Sequence, residues 1–228
     1  MENNTIFSSL KNIALLQDLP EQALSYLGSL GRIQHFDRNE YISLQGHGNG
    51  KVLFIQKGTA KVVHTDEDGR EYIHNIIGEG YLLPGASLFS HESLPASVQS
   101  MTDSTVIVIP QVSFEEVVLQ YPCTLKKLIM EMNRRIYQLY DWQQKLAVGD
   151  SNDKMMSLLN RLADEHGNCK TDGIHIKLPI TQMEMAQIIG VRRESLNRMW
   201  SRLQKKSVVV IQNNEWILSS TWRSQLPV

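Results

Sequence analysis

The stretch from Leu178 to Lys206, LPITQMEMAQIIGVRRESLNRMWSRLQKK, constrains this chain more than any other. Thr181 and Glu184 stand in a T-x-x-E capping box, so a helix is expected to start there. Met185, Ala186 and Ile189 give it an apolar face, and Ala186 is small enough for another helix to cross closely. Gly190 accepts positive φ, which ends this helix and turns the chain. A second helix follows from about Arg192. At about 100° per residue, Arg193, Glu194, Asn197, Arg198 and Ser201 share one arc of roughly 140°, and Leu196, Met199, Trp200 and Leu203 share another of roughly 100° on the far side.

One face of this second helix can therefore pack on a core while the other presents charge. Six cations (Arg192, Arg193, Arg198, Arg202, Lys205, Lys206) stand against one anion, Glu194. An ordinary solvated helix mixes signs and does not follow a capped helix and a glycine turn. The pair predicts a helix-turn-helix that reads double-stranded DNA. A helix fits the major groove, where guanine shows two acceptors and cytosine an amino donor. Arg193 suits guanine, Glu194 can accept from cytosine, and Arg198, one turn on, can reach a second base or a phosphate. Arg192, Arg202, Lys205 and Lys206 fit phosphates and set the register. The expected DNA-binding set is Thr181, Gln182, Arg192, Arg193, Glu194, Asn197, Arg198 and Arg202.

The run Thr181-x-x-x-Met185-Ala186-x-x-Ile189-Gly190-x-x-Arg193-Glu194-Ser195-Leu196 resembles the helix-turn-helix signature of the cyclic-AMP receptor protein / fumarate-nitrate regulator (Crp/Fnr) family. The spacing of Arg193, Glu194 and Arg198 is similar to the cyclic-AMP receptor branch; the fumarate-nitrate branch lacks the first Arg. The resemblance implies a dimeric transcription regulator that reads a palindrome with TGTGA-like half-sites.

Charge is unevenly split, although the net is only −1. Residues 151–228 hold 11 Lys+Arg and 7 Asp+Glu, whereas residues 1–150 hold 12 and 17. A basic C-terminal part joined to an acidic N-terminal part fits a DNA reader joined to a sensor. No apolar run approaches the ~18 residues of a membrane span, and the N-terminus has no signal-peptide core, so a cytoplasmic protein is expected. Two cysteines, Cys123 and Cys169, make no disulfide framework.

Phe7 to Leu30 reads as one or two short helices broken at Leu19-Pro20, with Ile13, Leu15, Leu16, Leu24, Leu27 and Leu30 packing on the strand-rich segment after them. Gly31 to Pro110 reads as short strands between turns: Arg32–Phe36, Tyr41–Leu44, Val52–Gln56, Ala60–Thr65, Glu71–Ile77, Ser97–Met101 and Thr105–Ile109. Such spacing predicts a β-sandwich or small barrel. This segment also resembles the family's β-roll, and Gly46, Gly58, Gly69, Gly78 and Gly80 match its turn glycines.

The family's nucleotide-binding cassette is where this chain departs. Cyclic-nucleotide binders in the family use Gly-Glu for the ribose and Arg-Ser or Arg-Thr for the phosphate. Here Ala86 stands in place of the Glu and Pro95 near the place of the Arg, and no Lys or Arg lies between Arg70 and Lys126. A buried phosphate without a cation keeps most of its desolvation cost, although backbone amides can offset part of it. The expected effector pocket, Leu82, Leu83, Pro84, Gly85, Pro95, Ala96, Leu139 and Tyr140, suits an apolar or aromatic ligand; a filled roll without a ligand is the alternative. Leu139 and Tyr140 enter because they fall near the positions where the family's long helix touches its effector.

Other sensor chemistries lack their residues. An iron–sulfur cluster needs about four Cys ligands, and none precedes Cys123. Residues 81–90 hold neither Cys nor His for a haem; His74 and His91 are the nearest candidates, and a lone His is more often structural. The seven His are at least nine residues apart, which excludes the H-x-H cluster of a cupin enzyme. No nucleophile–base pair or phosphate-cradling glycine loop is present, so neither an enzyme, a metal site nor a cofactor is expected. Cys123, beside Pro122 at a helix start, is slender ground for a redox role.

Gln111–Gly149 reads as the connector: a short helix around Ser113–Gln120, then a long one from Cys123 to about Val148. Ile129, Met132, Ile136, Leu139, Gln143 and Leu146 alternate spacings of three and four, a seam of about three heptads that predicts a parallel homodimer through residues 123–148. Gly149–Asp153 reads as a hinge, Lys154–His166 as an amphipathic helix and Gly173–Leu178 as a strand. Val208–Ile211 and Trp216–Leu218 make a hairpin whose tip, Asn213-Asn214, can touch phosphate as the wing of a winged helix.

The fold expected is α+β: an N-terminal β-roll sensor of the jelly-roll, cyclic-nucleotide-binding-like kind over 1–110, a dimerisation helix and hinge over 111–149, and a winged helix-turn-helix over 150–228. The function expected is a sequence-specific regulator controlled by a small effector other than cyclic AMP, with RNA polymerase as a further partner if it activates. An effector-independent regulator with the roll as scaffold, or a cyclic-AMP-responsive one, are the alternatives. A ligand-binding enzyme or carrier with an incidental basic helix is a rival that the Arg193, Glu194, Arg198 pattern opposes.

Overall fold

The computed structural model describes residues 2–48, 50–83, 87–90, 92–213, 215–220 and 222. Backbone packing divides the chain into two compact units, Met1–Ile136 and Tyr137–Val228.

The first unit opens with two helices, α1 (Glu2–Asn12) and α2 (Glu21–Leu30), separated by a 3-10 turn at Ala14–Leu16. The first helix starts five residues before Phe7, because Ile6 and Leu10 are fully buried anchors one turn apart. Eight strands come next: β1 (Arg32–Phe36), β2 (Tyr41–Ser43), β3 (Lys51–Lys57), β4 (Ala60–Thr65), β5 (Glu71–Ile77), β6 (Leu82–Leu83), β7 (Ser97–Ser100) and β8 (Ser104–Pro110). They form two antiparallel sheets of order β1-β8-β3-β6 and β2-β7-β4-β5. The expected turn glycines Gly46, Gly58, Gly69 and Gly80 have positive φ.

The sequence of β3 explains the layering. Val52, Leu53, Phe54 and Ile55 are all buried, an unbroken apolar run that a strand carries only when both of its faces are covered. Leu53 and Ile55 meet Val106 and Val108 of β8 and Ala60, Ile77 and Val98 of the other sheet. Val52 and Phe54 point the other way, into a cluster with Ile6, Leu10, Leu24, Leu27, Phe114 and Leu128. Phe54 and Phe114 meet edge to face, with centroids 5.8 Å apart, worth about 0.5–1.5 kcal/mol beyond the area they bury. Phe114 belongs to α3 (Gln111–Gln120), which precedes the long helix α4 (Pro122–Val148).

Along α4 the expected seam divides. Met132 packs against the core of its own unit. Ile129, Ile136 and Leu139 are 52%, 48% and 59% exposed, so about half of each of these three apolar side chains stays open among the described residues. Gln143 is exposed and Leu146 half-buried.

The second unit holds the end of α4, α5 (Ser151–His166), β9 (Gly167–Lys170), β10 (Gly173–Ile176), α6 (Gln182–Ile189), α7 (Arg193–Lys205), β11 (Val209–Gln212) and β12 (Glu215–Ser219). Its sheet runs β11-β12-β10-β9, all antiparallel. The break between α4 and α5 is shorter than the hinge expected over Gly149–Asp153. Asp150 caps α5 by accepting from Asn152 N at 2.7 Å and Asp153 N at 2.9 Å, and Asp153 returns a bond to Asp150 N, so residues 151–153 are already helical. The Asp153 amide bond, with that of Asn152, holds the Asp150 carboxyl below its usual range. Gly149 is left at the break, where any Cβ would lie 2.6 Å from the Lys145 carbonyl oxygen.

Candidate nucleic-acid interface

The local chemistry of the helix pair is as its sequence implies. Thr181 is the N-cap of α6: its Oγ1 accepts from Glu184 N at 3.2 Å, and Glu184 Oε2 accepts from Thr181 N at 2.9 Å. Thr181→Ala should therefore cost about 1 kcal/mol of stability, read as a lowered denaturation midpoint. Gly190 ends the helix at φ 65° and ψ 40°. Nothing lies within 4 Å of where its Cβ would be, so the backbone conformation, not lack of space, selects glycine there.

Helix α7 starts at Arg193, with Arg192 as an N-cap that makes no side-chain cap. Leu196, Met199 and Trp200 are buried, and Trp200 meets Trp216 of β12 edge to face at 4.9 Å, which ties the helix to the hairpin. Met185, Ala186, Ile188 and Ile189 of α6 are buried beneath it. Arg192, Arg193, Glu194, Arg198, Ser201, Arg202, Lys205 and Lys206 are exposed. Among the described residues, none of these six cations is in an ion pair, so their field is not neutralised within the chain. Arg198 Nη2 donates to Ser195 Oγ at 3.2 Å, which makes Ser195 a positioning residue for that guanidinium.

The remaining expected contacts are placed less uniformly. Thr181 is exposed and Gln182 half-buried at the start of α6. Asn197 is half-buried, and its Oδ1 is turned inward without a partner among the described residues. Asn213 sits at the hairpin tip with φ 48°; Asn214 lies outside the described residues.

The described residues of the expected effector set lie on β6, just before β7 and on α4. Leu82 and Leu83 form β6, opposite Phe54 and Leu53, rather than a loop. Leu83 joins the core between the sheets, but Leu82 faces the helical layer. Pro95 is exposed, its carbonyl 3.2 Å from His64 Nδ1, and Ala96 is half-buried. Pro84, Gly85, Ala86 and His91 lie outside the described residues. Leu139 and Tyr140 belong to the second unit and are 59% and 65% exposed. The space between the sheets is occupied by Leu53, Ile55, Val98, Val106 and Val108, with Tyr81 and Phe36 packed against them.

Sequence reasoning missed one cation beside this region. Arg135 of α4 stacks over the Tyr81 ring with Cζ 3.9 Å from its centroid, donates from Nη1 to the Leu82 carbonyl at 3.1 Å and from Nε to Glu131 at 2.9 Å. Partial burial pushes the Glu131 carboxyl up, but its bonds from Arg134 and Arg135 outweigh this and hold it below its usual range. No sequence spacing announces Arg135, because the helix returns to the strand only through tertiary packing. Among the described residues, no three His, Cys, Asp or Glu side chains stand where they could hold a metal ion. No described helix is long and apolar enough to cross a membrane.

Comparison with known proteins gives the same division. A family model described as a cyclic nucleotide-binding domain matches residues 33–121, and a Crp-like helix-turn-helix domain matches residues 153–220. The chain is 24% identical over 199 residues to the anaerobic regulatory protein of Bacillus subtilis, covering 84% of this chain and 81% of that one. It is 28% identical over 167 residues to the cAMP-activated global transcriptional regulator CRP of Salmonella typhimurium, covering 72% and 79%. In structure it is similar to FixK2 of Bradyrhizobium japonicum, with a TM-score of 0.76 at 16% identity over 87% of this chain and 98% of that one, a likeness of fold.

Proposed function

Because this chain belongs to the Crp/Fnr family of transcription regulators, we propose that it binds DNA as a homodimer, reads a palindrome with TGTGA-like half-sites, and answers to an effector other than cyclic AMP. The observation that carries the DNA reading is the exposed, unneutralised cation face of α7 held on a buried Leu196, Met199 and Trp200 face. Arg193 reads guanine O6 and N7, Glu194 accepts from cytosine, and Arg198, steadied by Ser195, takes a second base or a phosphate. Thr181, Gln182, Arg192 and Arg202 hold the backbone and set the register. The functional parts are the roll sensor (1–110), the dimer helix with its hinge (111–149) and the reader (150–228).

Control runs through the orientation of the readers about Gly149. An effector shifts that equilibrium only by its differential affinity for the two states. The filled roll interior favours a small apolar or aromatic effector, or none, over a cyclic nucleotide. Repression requires only occupancy of the site; activation also requires RNA polymerase contact.

The test is fluorescence anisotropy on a TGTGA palindrome at fixed salt, with and without cyclic AMP. Specific binding without the nucleotide is expected; binding only in its presence overturns the effector reading. Arg193→Ala should cost ~1–3 kcal/mol on that site and relax preference at one base pair. Equal weakening on every sequence would remove Arg193 as a base reader.

A further inference from the structure

His175, in the middle strand pair of the reader's sheet, lies where one proton chooses between two incompatible pairings. Its side chain is only 11% exposed. Its Nε2 is 2.9 Å from Asp172 Oδ1, in the turn between β9 and β10. Its Nδ1 is 3.1 Å from Glu215 Oε2, at the start of β12, and 3.2 Å from Lys170 Nζ, at the end of β9. Glu215 and Lys170 are 3.9 Å apart. Lys177, just beyond β10, also acts on Glu215. Across the strands His175 faces Asn168 and Ile217, neither of which titrates.

An ammonium can only donate and a carboxylate can only accept, yet both reach the same Nδ1. When the imidazole is protonated, Nδ1–H donates to Glu215 and Nε2–H to Asp172, and both carboxylates are satisfied. When it is neutral, Nε2–H keeps Asp172, Nδ1 accepts from Lys170, and Glu215 loses its imidazole partner. Glu215 faces Gln212 across the β11–β12 hairpin, whose tip begins at Asn213. The geometry points to a proton-operated lock on the wing: protonated His175 ties Glu215 to the β9–β10 turn, and neutral His175 releases that carboxylate beside the hairpin tip.

Charge energetics agree. The bonds to Asp172 and then Glu215 raise the His175 pKa above 6.5, and the bonds from His175 hold the Asp172 and Glu215 carboxyls below 3.8 and 4.5. A raised imidazole stabilises the fold fully below pH 6.5, and this contribution is lost as pH rises through the folded value. The depressed carboxylates contribute above 4.5 and lose that contribution as pH falls through their folded values. The lock is therefore complete from about pH 4.5 to 6.5 and opens on the alkaline side. The consequence for DNA rests on the reading given above. Opening removes one positive charge and bares one negative charge beside the phosphates.

Two measurements on the full chain separate lock from function. Without DNA, the His175 imidazole is titrated by NMR from pH 5.5 to 9. Its midpoint should exceed the ordinary value and fall toward it in Asp172→Asn and in Glu215→Gln; a midpoint unmoved in both variants overturns the lock. With a two-half-site DNA at fixed ionic strength, affinity should drop about fivefold between pH 6.5 and 8.5, the effect of one screened charge contact. Glu215→Gln should leave only the smaller part of that drop that comes from the lost imidazolium charge, and a drop equal to that of the unsubstituted protein overturns the coupling to the wing. A chain that binds no DNA at either pH removes the DNA reading and leaves the NMR titration to decide the lock.

Discussion

Replacing Ile136 and Leu139 together by lysine should leave the protein monomeric and weaken its binding to a two-half-site palindrome by about 10²–10⁴-fold. Both residues lie on the expected seam of α4, 48% and 59% exposed in the single chain, Ile136 one heptad after Ile129 and Leu139 three residues further on. Covering the open half of each such side chain is worth about 1 kcal/mol. An ammonium placed there loses its hydration without a partner and repels its counterpart across the seam. Tethering two readers makes the second half-site encounter intramolecular, so the whole of that advantage disappears with the dimer. Sedimentation velocity reads the first effect and anisotropy the second. Affinity for a single half-site should change little. A double variant that stays dimeric would move the interface elsewhere.

What the sequence made legible depends on how local the cause is. The T-x-x-E box, the αL glycine at Gly190 and the two faces of α7 are settled within one or two turns of chain and stand where expected, except that Asn197 on the outward arc is half-buried with Oδ1 turned inward. The strands expected between Gly31 and Pro110 all form, each within one residue of its expected limits at either end. Non-local causes hid the rest. β6 is two residues long and exists because Leu53 and Phe54 pair with it. β9 carries Gly167, Asn168, Cys169 and Lys170, a run with no strand signature, and forms by pairing with β10. Leu82 and Leu83 look alike in sequence, yet alternation sends one to the helices and the other between the sheets. Arg135, about 50 residues downstream, brings a cation to the Leu82 carbonyl that no local sequence pattern announces, and Glu131 also holds it.

Leu196→Ala should destabilise the reader by about 2–5 kcal/mol, because the side chain is fully buried and its loss removes apolar burial and leaves a void that neighbours fill only in part. Few other anchors are available. The inward face of α7 consists of Leu196, Met199 and Trp200, with Leu203 half-buried, and every other residue from Arg193 to Lys205 is polar. Against a stability of about 5–15 kcal/mol for a typical domain, this loss should lower the melting of the unit by roughly 10 °C or more. The chain reports this selectively, since all four tryptophans, Trp142, Trp200, Trp216 and Trp222, lie in the second unit. Tryptophan fluorescence should show the early transition, whereas Ser201→Ala on the exposed face should stay within about 0.5 kcal/mol of the unsubstituted protein. Below its melting temperature the Leu196→Ala reader should keep its sequence preference; Arg193→Ala should keep its melting temperature and lose preference at one base pair. A Leu196→Ala variant that altered preference without melting early would mean that this face of α7, not the cationic one, meets the DNA.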